Sequence, residues 1–344
     1  DAVTAYRIAV SINFLFLFLA MVALAGTMKR MMPDKKMPIV LFSALTVLLP
    51  CNLFYTQMTL TEVFLVALYI AAGSVLYRYL ENNRLSTLLL LMLILIYLYT
   101  VHMRTVGVLL AAMIVVTIHI FLRGDKRWHV LAALGAALAL FAAADFLKQQ
   151  AFVYVYGGIN QELVAANDYS GQMEKIRSVL SLEGFYDLLI SLAGKVLYLG
   201  LATWGLFYWG IYGMVRQAFA LLRNIKKHVS AKPQQFFAVF VLLTVAAQIV
   251  IGTIYLLTLG EIGDYTYGRY SEMVIPFVMV WGFAVLWKER ARFVWTATGG
   301  LALLQGLTTF LVVRQIIVTG ADNFQGYFLV GISYLYNEAD FQVD

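Results

Sequence analysis

Apolar runs of membrane-spanning length alternate with short polar clusters along the whole chain. About 20 consecutive apolar residues cross a bilayer, with a usable range of roughly 17–25. Runs of that kind fall near 8–27, 37–51, 61–79, 86–101, 105–122, 130–147, 189–215, 235–258, 273–287 and 293–313, which predicts ten spans. The runs are continuously apolar rather than alternating, so they predict helices and not an outer-membrane barrel. His102-Met103-Arg104-Thr105 separates the fourth run from the fifth. A charge and a histidine at the centre of one long helix would be expensive, so this break predicts a tight hairpin.

Composition narrows the class. Of 344 residues 62% are hydrophobic and 13% charged, with a mean hydropathy of +0.81. Soluble domains run near 45–50% apolar and about 25% charged, so disorder and an ordinary soluble enzyme are both excluded. Five prolines and one cysteine exclude collagen-like chains, disulfide scaffolds and four-cysteine zinc sites. The prediction is an all-α polytopic membrane protein. Residues 1–344 form a single transmembrane domain, with no internal repeat or linker.

The net charge of +6 has a topological meaning. Loops 28–36, 78–85, 123–129, 216–234 and 288–292 hold 17 of the 25 Lys and Arg, but only Asp34, Glu81, Asp125 and Glu289 among 19 acids. An excess of Lys and Arg marks the cytoplasmic side, which puts both termini outside and excludes nucleic acid as the partner of these charges. The long segment 148–188 is then an outer loop. Within it Met173, Ile176, Val179 and Leu180 share one helical face, predicting an interfacial helix against membrane lipids.

Nucleotide loops, nucleophile elbows and His-Glu-x-x-His motifs are absent from the sequence. Of four histidines only His102 faces outside on this topology, and Cys51 reads as a small buried apolar residue. Charged residues at the outer margins are the better candidates, because polar groups at membrane depth tend to face a cavity. Glu62 has two compatible readings: a capping box with Thr59, or a site carboxylate. Arg104 opposes both the helix dipole and the charge bias. It reads either as snorkelling to headgroups or as a bidentate clamp on phosphate. Lys195, in Gly194-Lys195-Val-Leu-Tyr198, has the same two readings at an outer helix start. In Glu261–Glu272 three tyrosines suit an interfacial belt, and Arg269 has Asp264 and Glu272 as nearby partners. The alternative is a loop over a cavity, with Arg269 on phosphate and tyrosines along a sugar site.

Three stretches carry a resemblance to a family. Pro50 through Glu62, with Val-Phe-Leu-Val-Ala-Leu after it, resembles an outer loop in which an acidic residue opens a long helix. Tyr97-Leu-Tyr-Thr-Val-His102-Met-Arg104 resembles a helix pair broken by a basic residue. Tyr267-Gly-Arg269-Tyr270-Ser-Glu-Met-Val-Ile-Pro276 is similar to an Arg-Tyr…Pro signature before a late span, and Gly194–Thr203 is similar to bacterial members. The family is the GT-C superfamily of polyprenyl-phosphate-sugar-dependent glycosyltransferases, which includes protein mannosyltransferases and the lipid A aminoarabinose transferase.

The resemblance implies sugar transfer from a polyprenyl-phosphate donor to a hydroxyl of a glycan, lipid or protein, outside the bacterial plasma membrane. It implies an auxiliary acidic role for Glu62 and donor-phosphate binding by Arg104, Arg269 and Lys195. Substrate contacts are implied for Tyr55, His102, Tyr198, Tyr267 and Tyr270. The family's catalytic aspartate lies in an outer loop after the first span, whereas the first span here resembles the third family helix. The chain is therefore expected to be the C-terminal portion of a longer protein, inactive without the missing loop, and the catalytic role is not carried onto Asp1. Metal use varies in the family, which leaves a divalent metal open. Two rivals remain. An O-antigen polymerase or ligase draws on Lys148, Lys175 and Arg177 in the long loop. A lipid-linked substrate transporter or flippase would favour inverted repeats and mid-span charges.

The charge asymmetry sets a first test. In a Cys51→Ala background, Lys227→Cys is expected to resist an impermeant thiol reagent applied from outside. Labelling of that residue from outside would overturn the orientation.

Overall fold

A computed structural model describes all residues except 33–36, 59, 125, 157–176, 178, 257–262, 320–328 and 333–344. The chain is an all-α polytopic membrane protein, with no strand among the described residues. The helices are α1 (Ala2–Met31), α2 (Ile39–Val47), α3 (Pro50–Thr56), α4 (Glu62–Asn82), α5 (Leu85–Val101), α6 (Val106–Arg123) and α7 (Trp128–Tyr156). After them come α8 (Leu182–Ala202), α9 (Leu206–Lys226), α10 (Pro233–Leu256), α11 (Gly263–Thr266), α12 (Ile275–Lys288) and α13 (Ala291–Thr319). Turns of 3₁₀ helix, Met103–Thr105 and Glu272–Val274, precede α6 and α12.

Among the described residues seven helices are long and apolar enough to cross a membrane, and the bent pair α2–α3 makes an eighth if counted as one span. The ten expected runs are therefore corrected in three ways. The run 37–51 is two helices bent by 59°, and the second continues into residues expected to be loop. Pro50 opens α3 and holds Leu49 extended (φ −59, ψ 149), which ends α2. The run 189–215 is also two helices, divided at Gly205 (φ 81); Thr203 Oγ1 accepts from Phe207 N at 2.9 Å across the joint. The runs 86–101 and 273–287 form α5 and α12, of 17 and 14 residues. At 1.5 Å per residue they reach only about 26 and 21 Å, short of the roughly 30 Å hydrocarbon core. The interfacial helix expected in 148–188 falls mostly outside the described residues.

The break after α5 forms as expected. His102 is extended (φ −155, ψ 122), its Nδ1 accepts from Arg104 N at 3.3 Å, and Thr105 Oγ1 donates to His102 O at 2.9 Å. The tight hairpin expected at this break is corrected: α5 and α6 pack mainly on other helices. α5 lies against α4 and α7, while α6 lies against α10.

The basic ends of the helices are tied together. Arg30 pairs with Glu81 at 3.0 Å, Lys126 Nζ donates to Asn83 O at 3.2 Å, Gln234 Nε2 donates to Met31 O at 3.4 Å, and Arg216 pairs with Glu289. At the opposite end Tyr6 donates to Gln57 O at 2.8 Å, and Asn13 Nδ2 to Thr56 O at 3.2 Å. Between them α4 is the most enclosed of the seven membrane-length helices, with Tyr69, Ile70, Leu76 and Tyr77 buried against α1, α10 and α12. Tyr69 meets Thr244 Oγ1 at 2.9 Å, so its hydroxyl is satisfied inside the bundle. α7 and α13 present large apolar side chains such as Leu138 and Phe310 outward, the surface a lipid-facing helix requires.

Without a hydrophobic drive between helices in lipid, close approach of small residues holds them together. α9 and α12 show this: a Cβ at Gly210 would stand 2.2 Å from Val278 O. Gly210→Ala is expected to destabilise by about 1–3 kcal/mol through overpacking. Gly299→Ala on α13, where a Cβ meets nothing within 4 Å, is expected to be neutral or to gain about 0.5–1 kcal/mol. Thermal unfolding in detergent checks the pair; equal effects would contradict the close α9–α12 contact.

Candidate functional site

Four segments distant in sequence meet at the end opposite the basic loops: the start of α4, the turn 102–105, the α8 stretch around Tyr198, and residues 265–274. Their local structure follows from the short helices. α12 is too short to span the hydrocarbon and α5 is at the lower limit of spanning length, and irregular backbone adjoins both. Such backbone is tolerated in a membrane only where protein or a water-filled cavity surrounds it.

Glu62 is the first residue of α4 and is 4% exposed. Its Oε1 accepts from Arg269 Nε, 207 residues away, and stands 3.7 Å from Arg104 Nη2. Arg104 is 7% exposed, and its guanidinium carbon lies 4.4 Å over the Tyr270 ring. Gln248 Nε2 donates to Arg104 O at 2.9 Å, fixing the turn to α10. Tyr270 is ringed by Tyr267 at 4.9 Å, Tyr255 at 5.8 Å and His102 at 6.0 Å between centroids.

A second buried carboxyl adjoins this cluster. Tyr198 Oη donates to Glu272 Oε1, Tyr55 hydrogen-bonds the same carboxyl, and Gly331 N donates to Tyr198 Oη at 3.0 Å. The Tyr198 ring lies flat against the chain at Gly268, where a Cβ would stand 1.9 Å from it. Only glycine allows that approach, so Gly268 places Arg269 and Tyr270 beside α8.

The expected site residues can now be located. Glu62, Arg104, Arg269, Tyr267, Tyr270 and His102 form one cluster, and Tyr55 and Tyr198 meet at Glu272 beside it. The snorkelling reading of Arg104 is corrected, since protein encloses the side chain. The carboxylate on Arg269 Nε is Glu62, and Glu272 Oε1 is held by Tyr198. The capping box rests on Thr59, outside the described residues. Lys195 does not open a helix: α8 begins at Leu182, and Lys195 is fully buried three residues before Tyr198, so snorkelling is corrected there too. Gln248 and Tyr255 were missed, because a glutamine and a tyrosine inside an apolar run give no periodic signal. Glu272 was considered only as an ion-pair partner.

Several buried polar atoms here have no hydrogen-bond partner among the described residues: Glu62 Oε2, Arg104 Nε and Nη1, Thr253 Oγ1, Ser271 Oγ and Glu272 Oε2. Nearly all buried polar atoms in proteins are paired, so these groups are open to a partner such as water or a ligand. The donors suit an anion and the carboxylate oxygens suit hydroxyl groups. Glu62 offsets one of the two guanidinium charges. A divalent cation does not fit: no group of three His, Cys, Asp or Glu converges among the described residues, and two guanidinium groups face the Glu62 carboxylate.

The chain matches no protein-family model, no curated protein and no solved structure.

Proposed function

We propose that the chain is a membrane glycosyltransferase, or the larger part of one, taking a sugar from a polyprenyl phosphate to a hydroxyl acceptor outside the plasma membrane. The observation that carries this reading is Arg104: a buried guanidinium with Nε and Nη1 unpartnered, beside Arg269 and an unpartnered carboxylate oxygen. Donors for an anion lie beside acceptors for hydroxyls, the complement of a sugar phosphate. An apolar cavity of about 620 Å³ between α8, α9 and α13 starts at Gly200, two residues from Tyr198, and supports a lipid-linked donor.

In the proposed reaction an acceptor hydroxyl attacks the anomeric carbon. The bond from that carbon to the phosphate oxygen breaks, and its electron pair leaves on the phosphate. Arg104 and Arg269 meet the charge that grows there; fixed donors in a water-poor site are the largest common source of transition-state stabilisation. Glu62 Oε2 orients the acceptor, Tyr267, Tyr270 and Tyr198 flank the sugar, and the hydroxyl proton goes to a carboxylate that we do not assign to a described residue. Arg269 is held in place by Glu62 and shares the phosphate with Arg104. The excess of Lys and Arg at the opposite end supports the outward orientation.

The test is sugar transfer by the full-length protein from a defined polyprenyl-phosphate sugar. Arg104→Ala is expected to lose about 10- to 100-fold, the equivalent of one charge-assisted contact at roughly 1.5–3 kcal/mol. Arg104→Lys is expected to recover only part of it, because lysine cannot bind bidentately. Normal donor kinetics in a well-folded Arg104→Ala protein would reject the phosphate role. Transport of the lipid-linked sugar without transfer would favour a flippase.

A further inference from the structure

A second cationic hollow lies at the other end of α12. α12 leaves the Glu272 turn at Ile275 and ends at Lys288, about 20 Å away at 1.5 Å per residue. There the ends of α1, α9, α10 and α12 enclose a cavity of about 510 Å³, within the roughly 300–1,000 Å³ of small-molecule sites. Arg216, Lys232 and Lys288 line it with one acid, Glu289, which is already paired with Arg216. Among the described lining residues this leaves two lysine charges without an acid. Helix-dipole capping accounts for Lys288 at a helix C-terminus but not for Lys232, which directly precedes α10, where the dipole repels a cation.

Apolar side chains make up part of the lining behind these charges. Met31, Met32 and Val285 are buried there, and the Gln234–Met31 hydrogen bond closes the seam between α1 and α10. Trp281 lines the same cavity. It is 6% exposed, and its Nε1 has no hydrogen-bond partner among the described residues. An indole N–H is a donor only. Three cations and an unpaired N–H set against an apolar wall match one kind of molecule: an anionic ester whose other end is hydrocarbon.

We infer that this hollow binds the headgroup of an anionic phospholipid, with its phosphodiester on Lys232 and Lys288, its ester oxygens near Trp281, and its glycerol on the methionine wall. A free anion would make no use of the buried methionines, whereas a lipid has a hydrocarbon end to set against them. The site is separate from the Glu62–Arg104 cluster and does not depend on the proposed transfer activity.

The test titrates the purified full chain in detergent with phosphatidylglycerol and with phosphatidylcholine, counting bound lipid by native mass spectrometry. Wild type is expected to prefer phosphatidylglycerol. Lys232→Gln with Lys288→Gln is expected to reduce that preference about tenfold, the loss of at least one charge-assisted contact. Lys226→Gln with Lys227→Gln removes equal charge from the same end outside the hollow, and is expected to leave the preference within about twofold. Trp281→Phe, which changes no charge, is expected to weaken it as well, and keeps the inference testable if the lysine pair fails to fold. Equal loss in both lysine pairs would show diffuse surface attraction and overturn the site. So would an absence of preference in wild type, an unchanged Trp281→Phe, or displacement of the lipid by inorganic phosphate at a similar concentration.

Discussion

The burial of Arg104 governs how this end of the molecule is built. A guanidinium at membrane depth is costly unless it is paired and hydrogen-bonded. Glu62 meets that requirement only in part, since its Oε1 also accepts from Arg269. The arrangement is one carboxylate between two guanidinium groups, with the Tyr270 ring covering one of them. Removing one partner from a buried pair leaves an uncompensated charge and destabilises by about 3–5 kcal/mol. The start of α4, the turn before α6 and the loop before α12 are therefore tied to one another by charge as well as by apolar packing.

The surrounding fold serves that lock. α12 is too short to cross the hydrocarbon alone and α5 is barely long enough, and beside their ends extended residues, turns and 3₁₀ helix carry His102, Arg104, Arg269 and Glu272. Backbone hydrogen bonds in these turns are completed locally, as by Thr105 on His102 O, or by a neighbouring helix, as by Gln248 on Arg104 O. Close α8 contact through Gly268 puts Tyr198 under Glu272. An apolar bundle thus holds a polar cluster whose buried donors and acceptors are not all satisfied among the described residues.

Much of this was legible in the sequence, for identifiable reasons. Apolar run length predicts α1, α4, α6, α7, α10 and α13, because a bilayer imposes that length on any spanning helix. The position of Glu62 and Arg104 at helix starts, and the Arg269-Tyr270 pair before Pro276, flagged them as charges in need of partners. Their actual pairing was hidden: contacts between residues 207 apart leave no local pattern, and the neighbouring acids Asp264 and Glu272 were the nearer guess for Arg269. The kinks at Leu49 and Gly205 were concealed by hydropathy, which registers composition and not backbone angle. Gln248, Tyr255 and the Tyr55–Glu272–Tyr198 link depend on which helices adjoin, and a single sequence does not encode that visibly.

The central claim is that the unpartnered guanidinium nitrogens of Arg104 exist to hold a lipid phosphate. The most direct measurement compares equilibrium binding of a polyprenyl phosphate with that of the same polyprenol lacking phosphate, to the wild-type protein in detergent. The account expects a clear preference for the phosphate form that Arg104→Ala abolishes while the polyprenol is bound as before. Equal affinity for the two lipids in wild type would contradict it.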